Sequence, residues 1–147
     1  MPIVSSLIRA STAALLLIGM TAFATPAVAA ERTAKSSVVI QVSESNPAIW
    51  NLALNNAKNI QQDLGKENTN IEIVAYGPGI NMLKFDSEVA PRLKEASTNG
   101  VALLACGNTM KNQKLTEKDL EGDVKVVKAG VIEIISKQRE GWAYIKP

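Results

Sequence analysis

The sequence predicts an α/β sandwich, a mostly parallel sheet with helices against both faces. Two observations predict it. Nearly unbroken apolar runs, rich in β-branched residues, recur at 37–42, 71–76, 101–105, 124–127 and 142–145, as strands covered on both sides require. Between them lie segments with helical periodicity or helix-type caps, and strand–helix alternation is the mark of parallel pairing.

The run 37–42 ends in Ser43-Glu44-Ser45-Asn46, with Pro47 next. Asn46 suits an N-cap, and Pro47 suits the first helical position, where a missing N–H leaves nothing unsatisfied. Ile49, Ala53, Ala57, Ile60 and Leu64 then share one helical face, which Leu52 broadens. Gly65 ends that helix. After 71–76, Gly77-Pro78-Gly79 breaks the chain sharply, and residues 80–83 read as a semi-apolar loop or a single helical turn. Asp86 and Ser87 offer a cap for the next helix. Pro91 would fall inside its start, so regular helix is expected only from Ala90, running to Thr98. Asn99-Gly100 closes it. Beyond Cys106 a short polar piece reads as helix, and Thr116-Glu117-Lys118-Asp119 resembles a capping box. Residues 130–140 form an amphipathic helix through Val131, Ile134 and Ile135, stopped by Gly141.

The first thirty residues carry the pattern of a secretory signal peptide. Arg9 is their only charge, an apolar run from Ala13 to Phe23 follows, and Pro26 leads into Ala27-Val28-Ala29-Ala30. The apolar run is too short for a spanning helix, which needs about 20 such residues. Cleavage is expected after Ala29 or Ala30, leaving residues 31–147 as one periplasmic or secreted domain with no membrane contact. Arg9 is the one basic residue lost, so the net charge falls from +2 to about +1. That near balance gives no electrostatic support for binding nucleic acid.

Two absences narrow the chemistry. The chain has no histidine, which removes Ser-His and Cys-His catalysis and any histidine-ligated metal site; no metal and no cofactor is expected. It has one cysteine, so no disulfide can form within the chain. An unpaired thiol in an oxidising compartment is buried, bridged between chains, or used.

Cys106 is the leading candidate. It closes the apolar run 101–105 where a strand gives way to Gly107-Asn108-Thr109-Met110, and reactive groups in α/β sheets gather outside the carboxyl ends of strands. Gly107 allows close backbone approach, and if 107–110 opens a helix its free N–H groups would favour a thiolate. With no histidine as base, activation must come from backbone dipoles, or from Lys111 or Lys114. That suffices for a persulfide carrier and is poor equipment for hydrolysis. The competing reading is a packed thiol with no chemistry.

Gly77-Pro78-Gly79 is a second candidate. It lacks both the G-x-G-x-x-G spacing and the Walker lysine of phosphate-binding loops, so a tight turn beside the Cys106 mouth is the favoured reading over nucleotide binding. Ser43, Glu44 and Asn46 should face the same rim. Asn46 reads mainly as a cap, and a Glu44 carboxylate near the thiol would oppose its activation. Trp50, Met82, Leu83 and Met110 read as core or subunit contact.

Four blocks together resemble the DsrE/DsrF-like family, small α/β proteins linked to sulfur relay. They are residues 46–57 (NPAIWNLALNNA), 74–80 (VAYGPGI), 105–110 (ACGNTM) and 141–145 (GWAYI), and the resemblance spans 37–147. It implies a three-layer α/β/α sandwich around a five-stranded, mostly parallel sheet, flavodoxin-like in general architecture, assembled as a homotrimer or homohexamer. In relay members a cysteine after a central strand carries a persulfide, and Cys106 matches that position. The Cys-Gly-Asn-Thr context differs from the basic, arginine-bearing stretch of relay cysteines. An exported chain also cannot reach their cytoplasmic partners, so the resemblance carries fold further than activity.

The expectation is therefore an exported sulfane-sulfur carrier. Cys106 would hold the sulfur, with Gly107, Asn108, Thr109, Tyr76, Gly77, Pro78, Gly79 and Asn46 around it. A donor or acceptor protein, or a small thiol, would be its partner. The alternative is a non-catalytic oligomeric binding module in which Cys106 is purely structural.

Overall fold

A computed structural model describes residues 35–147, and the expected signal peptide lies outside the described residues. Five strands form one sheet: Ser36–Val42 (β1), Thr69–Ala75 (β2), Val101–Cys106 (β3), Lys125–Val127 (β4) and Ala143–Ile145 (β5). Their order is β4-β3-β2-β1-β5, and every pairing is parallel. Val42 pairs with Ala75, Ala75 with Ala105, and Cys106 with Val127, so the central strands end level along one rim.

Four helices connect them: Pro47–Leu64 (α1), Ala90–Thr98 (α2), Gly107–Gln113 (α3) and Gly130–Arg139 (α4). The α1 cap forms as its residues dictate. The Asn46 side-chain oxygen accepts the Ala48 N–H at 3.0 Å, and Gly65 turns the chain out at φ 86°. The buried stripe of α1 is Trp50, Ala53, Leu54 and Ala57, while Leu52 and Leu64 are exposed. The predicted stripe was thus turned slightly, because Trp50 and Leu54 together present more apolar area to the sheet than Leu52 does. No side chain caps α2: it opens at Ala90 with Pro91 in its first turn, and the Ser87 carbonyl accepts the Ala90 N–H at 2.9 Å. The Thr116–Asp119 box forms in full, but it opens only the single 3₁₀ turn Glu117–Asp119.

The two faces are covered unequally. On the first, α1, α2 and the 3₁₀ segment Gly77–Leu83 bury a large cluster that includes Ile40, Ile73, Ile80, Met82, Leu83, Leu93 and Leu103. Trp50, Met82, Leu83 and Met110 all belong to this core. On the second face, α4 packs over β1, β2 and β3, and four buried side chains make the cluster: Val39, Val74, Leu104 and Ile134. The expected apolar stripe of α4 is only partly realised. Ile134 is buried, whereas Val131, Ile132 and Ile135 are 49%, 63% and 39% exposed.

Glu72 lies on the second face beneath α4, its Oε1 3.5 Å from Lys137 Nζ. Burial, aided by Glu133 and Glu140 and opposed by Lys137, holds its carboxyl above the ordinary range.

The Gly77-Pro78-Gly79 turn sets the rim. A Cβ at Gly79 would sit 2.3 Å from the Val42 carbonyl oxygen and 2.9 Å from Ser43 Cα, so the turn lies directly on the end of β1. Backbone cannot yield as a side-chain tip can. Gly79→Ala is expected to destabilise the fold by about 3 kcal/mol or more in denaturant unfolding. Gly122→Ala, where a Cβ meets nothing within 4 Å, should stay within about 0.5 kcal/mol of the parent.

Candidate functional site

Strand parity decides where the thiol points. Val74 and Leu104 face α4, so Tyr76 and Cys106, each two residues further on, face the same side. The first turn of α4 lies directly against them. A Cβ at Gly130 would stand 3.2 Å from Val74 Cγ1 and 3.3 Å from the Cβ atoms of both Cys106 and Tyr76. Any larger residue here would push α4 and these side chains apart by a few tenths of an ångström.

Burial and four neighbouring donors act on the Cys106 thiol in opposite directions. Burial pushes the thiol up, and this is the largest single influence on it. The Gly130 N–H, the Thr109 hydroxyl and the N–H groups of Thr109 and Asn108 outweigh it together, leaving the thiol below its ordinary value. Thr109 is placed for this by its other contact. Its oxygen accepts the Gly77 N–H at 2.9 Å, which leaves its proton free for sulfur. The Asn108 N–H is shared, since it also reaches the Lys128 carbonyl at 3.2 Å. The donors come from the starts of two helices, α3 and α4, whose positive ends both favour an anion between them.

The remaining residues proposed for the site divide clearly. Gly77 touches it through Thr109, and Gln113 Nε2 holds the Gly77 carbonyl at 3.3 Å. Tyr76 flanks Gly130. Its phenol is raised by burial and by the nearby Tyr144, against a hydrogen bond with Ser43. Gly107 approaches the β4–α4 connection, where an added Cβ would lie 3.1 Å from the Val127 carbonyl. Pro78 is exposed and Gly79 is buried against β1, so both shape the turn. Asn46 caps α1. Neither Lys111 nor Lys114 is among the groups that shift the thiol, and Glu44 faces Lys146 at 3.9 Å. Gly130 was not foreseen from sequence. It opens a helix far along the chain, and only the Ala129-Gly130 step before an apolar stripe marked the place.

The thiol is enclosed. Cys106 is 5% exposed. Three open clefts of about 390 to 490 Å³ lie elsewhere: at the feet of β3 and β4, beside Ile60 and Ile145, and around Trp50 and Lys84. Among the described residues, no group of three or more acidic or cysteine side chains is arranged to hold a metal ion.

The model of the DsrE/DsrF-like family matches residues 36–147. The chain belongs to that family. A solved protein of unknown function from Methanobacterium thermoautotrophicum, MTH1491, is 38% identical; the match covers 77% of this chain and all of that one, with a TM-score of 0.73. A second, BT1422 from Bacteroides thetaiotaomicron, is also of unknown function. It is 16% identical over 76% of this chain and 95% of its own, and its TM-score of 0.63 shows a shared fold. No curated protein matches the chain.

The donor set predicts how thiol reactivity responds to pH. Alkylation of Cys106 by iodoacetamide should titrate below the ordinary cysteine value. Thr109→Val should raise that midpoint by about one pH unit, the loss of one hydrogen bond to a charged acceptor being ~1.5–3 kcal/mol, and Gly130→Ala, which keeps its N–H but moves it away from the sulfur, should raise it by less. Thr109→Ser should keep the parent midpoint.

Proposed function

We propose that this chain is an exported sulfane-sulfur carrier that holds one sulfur atom as a persulfide on Cys106. The observation that supports this reading is a thiol held below its ordinary value by the N–H groups of Gly130, Thr109 and Asn108 and the Thr109 hydroxyl, with the start of α4 packed against Cys106. Such a cradle favours a thiolate before loading and an anionic persulfide after it. Membership of a family associated with sulfur relay supports the same reading.

Loading balances without an external oxidant. The Cys106 thiolate attacks the outer sulfur of thiosulfate, a new S–S bond forms, and sulfite leaves with the electron pair of the broken bond. Unloading reverses the logic: an acceptor thiolate attacks the outer sulfur, and Cys106 departs as the thiolate its donors favour. No proton need be taken from the thiol at the moment of attack, so the missing histidine is no obstacle.

The reading includes export, with cleavage after Ala29 or Ala30, and self-association as a trimer or hexamer. The partner that gives or takes sulfur is a small thiol or a cysteine-bearing protein.

A second reading draws on the 5% exposure of Cys106. It makes the chain a non-catalytic oligomeric binding module with a structural cysteine. Mass spectrometry separates the two. After incubation with thiosulfate or polysulfide and non-reducing handling, the carrier should gain about 32 Da, one sulfur. Cys106→Ser should gain none. An unmodified parent, or equal labelling of the variant, favours the structural cysteine.

A further inference from the structure

Helix α4 covers the sulfur, yet it is lightly held. One of its side chains, Ile134, enters the second-face cluster, and Val131, Ile132 and Ile135 point outward. Its other anchor is Lys137, only 18% exposed, which faces Glu72 at 3.5 Å, Glu140 at 3.5 Å and Glu133 at 3.7 Å. The same ammonium lies 4.7 Å from the centre of the Trp142 ring. One cation therefore serves three carboxylates, and Glu72 Oε2 is buried with no hydrogen-bond partner.

Lys137 is thus the charge that allows α4 to sit on Glu72. Without it, a buried carboxylate would face two others with nothing to offset them. The opposite end of the same helix delivers the Gly130 N–H to Cys106. That end is tethered by the three-residue edge strand β4, whose Val127 pairs with Cys106, by the Asn108 N–H on the Lys128 carbonyl at 3.2 Å, and by the Gly130 donor itself. The far end is the fixed one: Gly141 turns the chain at φ 87°, its N–H on the Gln138 carbonyl at 3.1 Å and the Trp142 N–H on the Lys137 carbonyl at 3.0 Å.

We propose that α4 is a hinged cover over Cys106, pinned down by Lys137 against Glu72, and that raising its first turn admits a protein thiol to the sulfur. The inference rests on the carrier reading for its purpose. An incoming thiolate must approach the outer sulfur along the S–S axis. With Cys106 only 5% exposed, a cysteine on a folded partner needs the cover raised. Raising it also withdraws the Gly130 donor, so the open state exposes the sulfur and the closed state stabilises its charge.

Paired thiol reagents test this on the full chain at a pH above the thiol's titration: iodoacetamide, and a maleimide bearing a polyethylene glycol chain. Lys137→Met should speed the bulky reagent ~10-fold or more and the small one less than ~3-fold, as opening of one local unit implies. Adding Glu72→Gln to that variant, which removes the unpaired charge, should return the bulky rate toward the parent's. Equal acceleration of both reagents, or of neither, overturns the proposal.

Hydrogen exchange on the unaltered chain guards against a variant that fails to fold. Amides of α4 should exchange ~10-fold faster than those of α1, and equal protection of the two helices overturns the proposal. Neither measurement uses a sulfur donor. A missing persulfide adduct would leave the cover standing, and a rigid α4 would leave the adduct standing.

Discussion

The structure turns on the approach of the Gly130 backbone to the sulfur of Cys106. Each side of that contact has a local cause. Cys106 ends β3 at the level of Val127 in β4, and Gly130 begins the helix that returns from β4 across the second face. A parallel sheet must send its connections back over one face or the other, so the start of a returning helix falls above the strand ends. Glycine at that start closes the last few tenths of an ångström. A methyl group would meet Val74, Cys106 and Tyr76 together.

The pair of N-terminal helix ends also explains how a chain without histidine can favour a thiolate. Desolvation opposes the charge, as it does for any enclosed thiol. The donors prevail because they are fixed in advance by secondary structure. Three belong to backbone, and the fourth, Thr109, is oriented by the Gly77 N–H. The Gly77-Pro78-Gly79 turn therefore contributes to the site through one hydrogen bond, and its close packing on Val42 keeps that bond in place.

Much of the fold was legible because its punctuation is local. Asn46-Pro47, Gly65, Asn99-Gly100 and Gly141 mark element ends through caps and positive φ, and each stands where the sequence placed it. The strand runs were readable because a sheet covered on both faces keeps its strands mostly apolar, with few polar breaks such as Gln41 and Glu72. Periodicity alone could not orient the helices. In α1 the choice between Leu52 and the Trp50–Leu54 pair depends on the sheet beneath, and in α4 three expected core positions reduce to Ile134. The site was legible up to residue 110 and no further. The donor from Gly130 and the Lys137–Glu72 pair join segments remote in sequence, and no spacing rule connects them.

Unequal cover gives the molecule two characters. The first face is a conventional packed core that fixes where the strands end. The second is a thin layer, four buried side chains and one ion pair, laid over the reactive group. Whether that layer supports chemistry reduces to the charge state of one atom. Ultraviolet absorbance of the thiolate, followed against pH with Cys106→Ser as blank, measures it directly in the native chain. The account predicts ionisation below the ordinary cysteine value, returning to that value on unfolding in denaturant. A native midpoint at or above the unfolded one would contradict it.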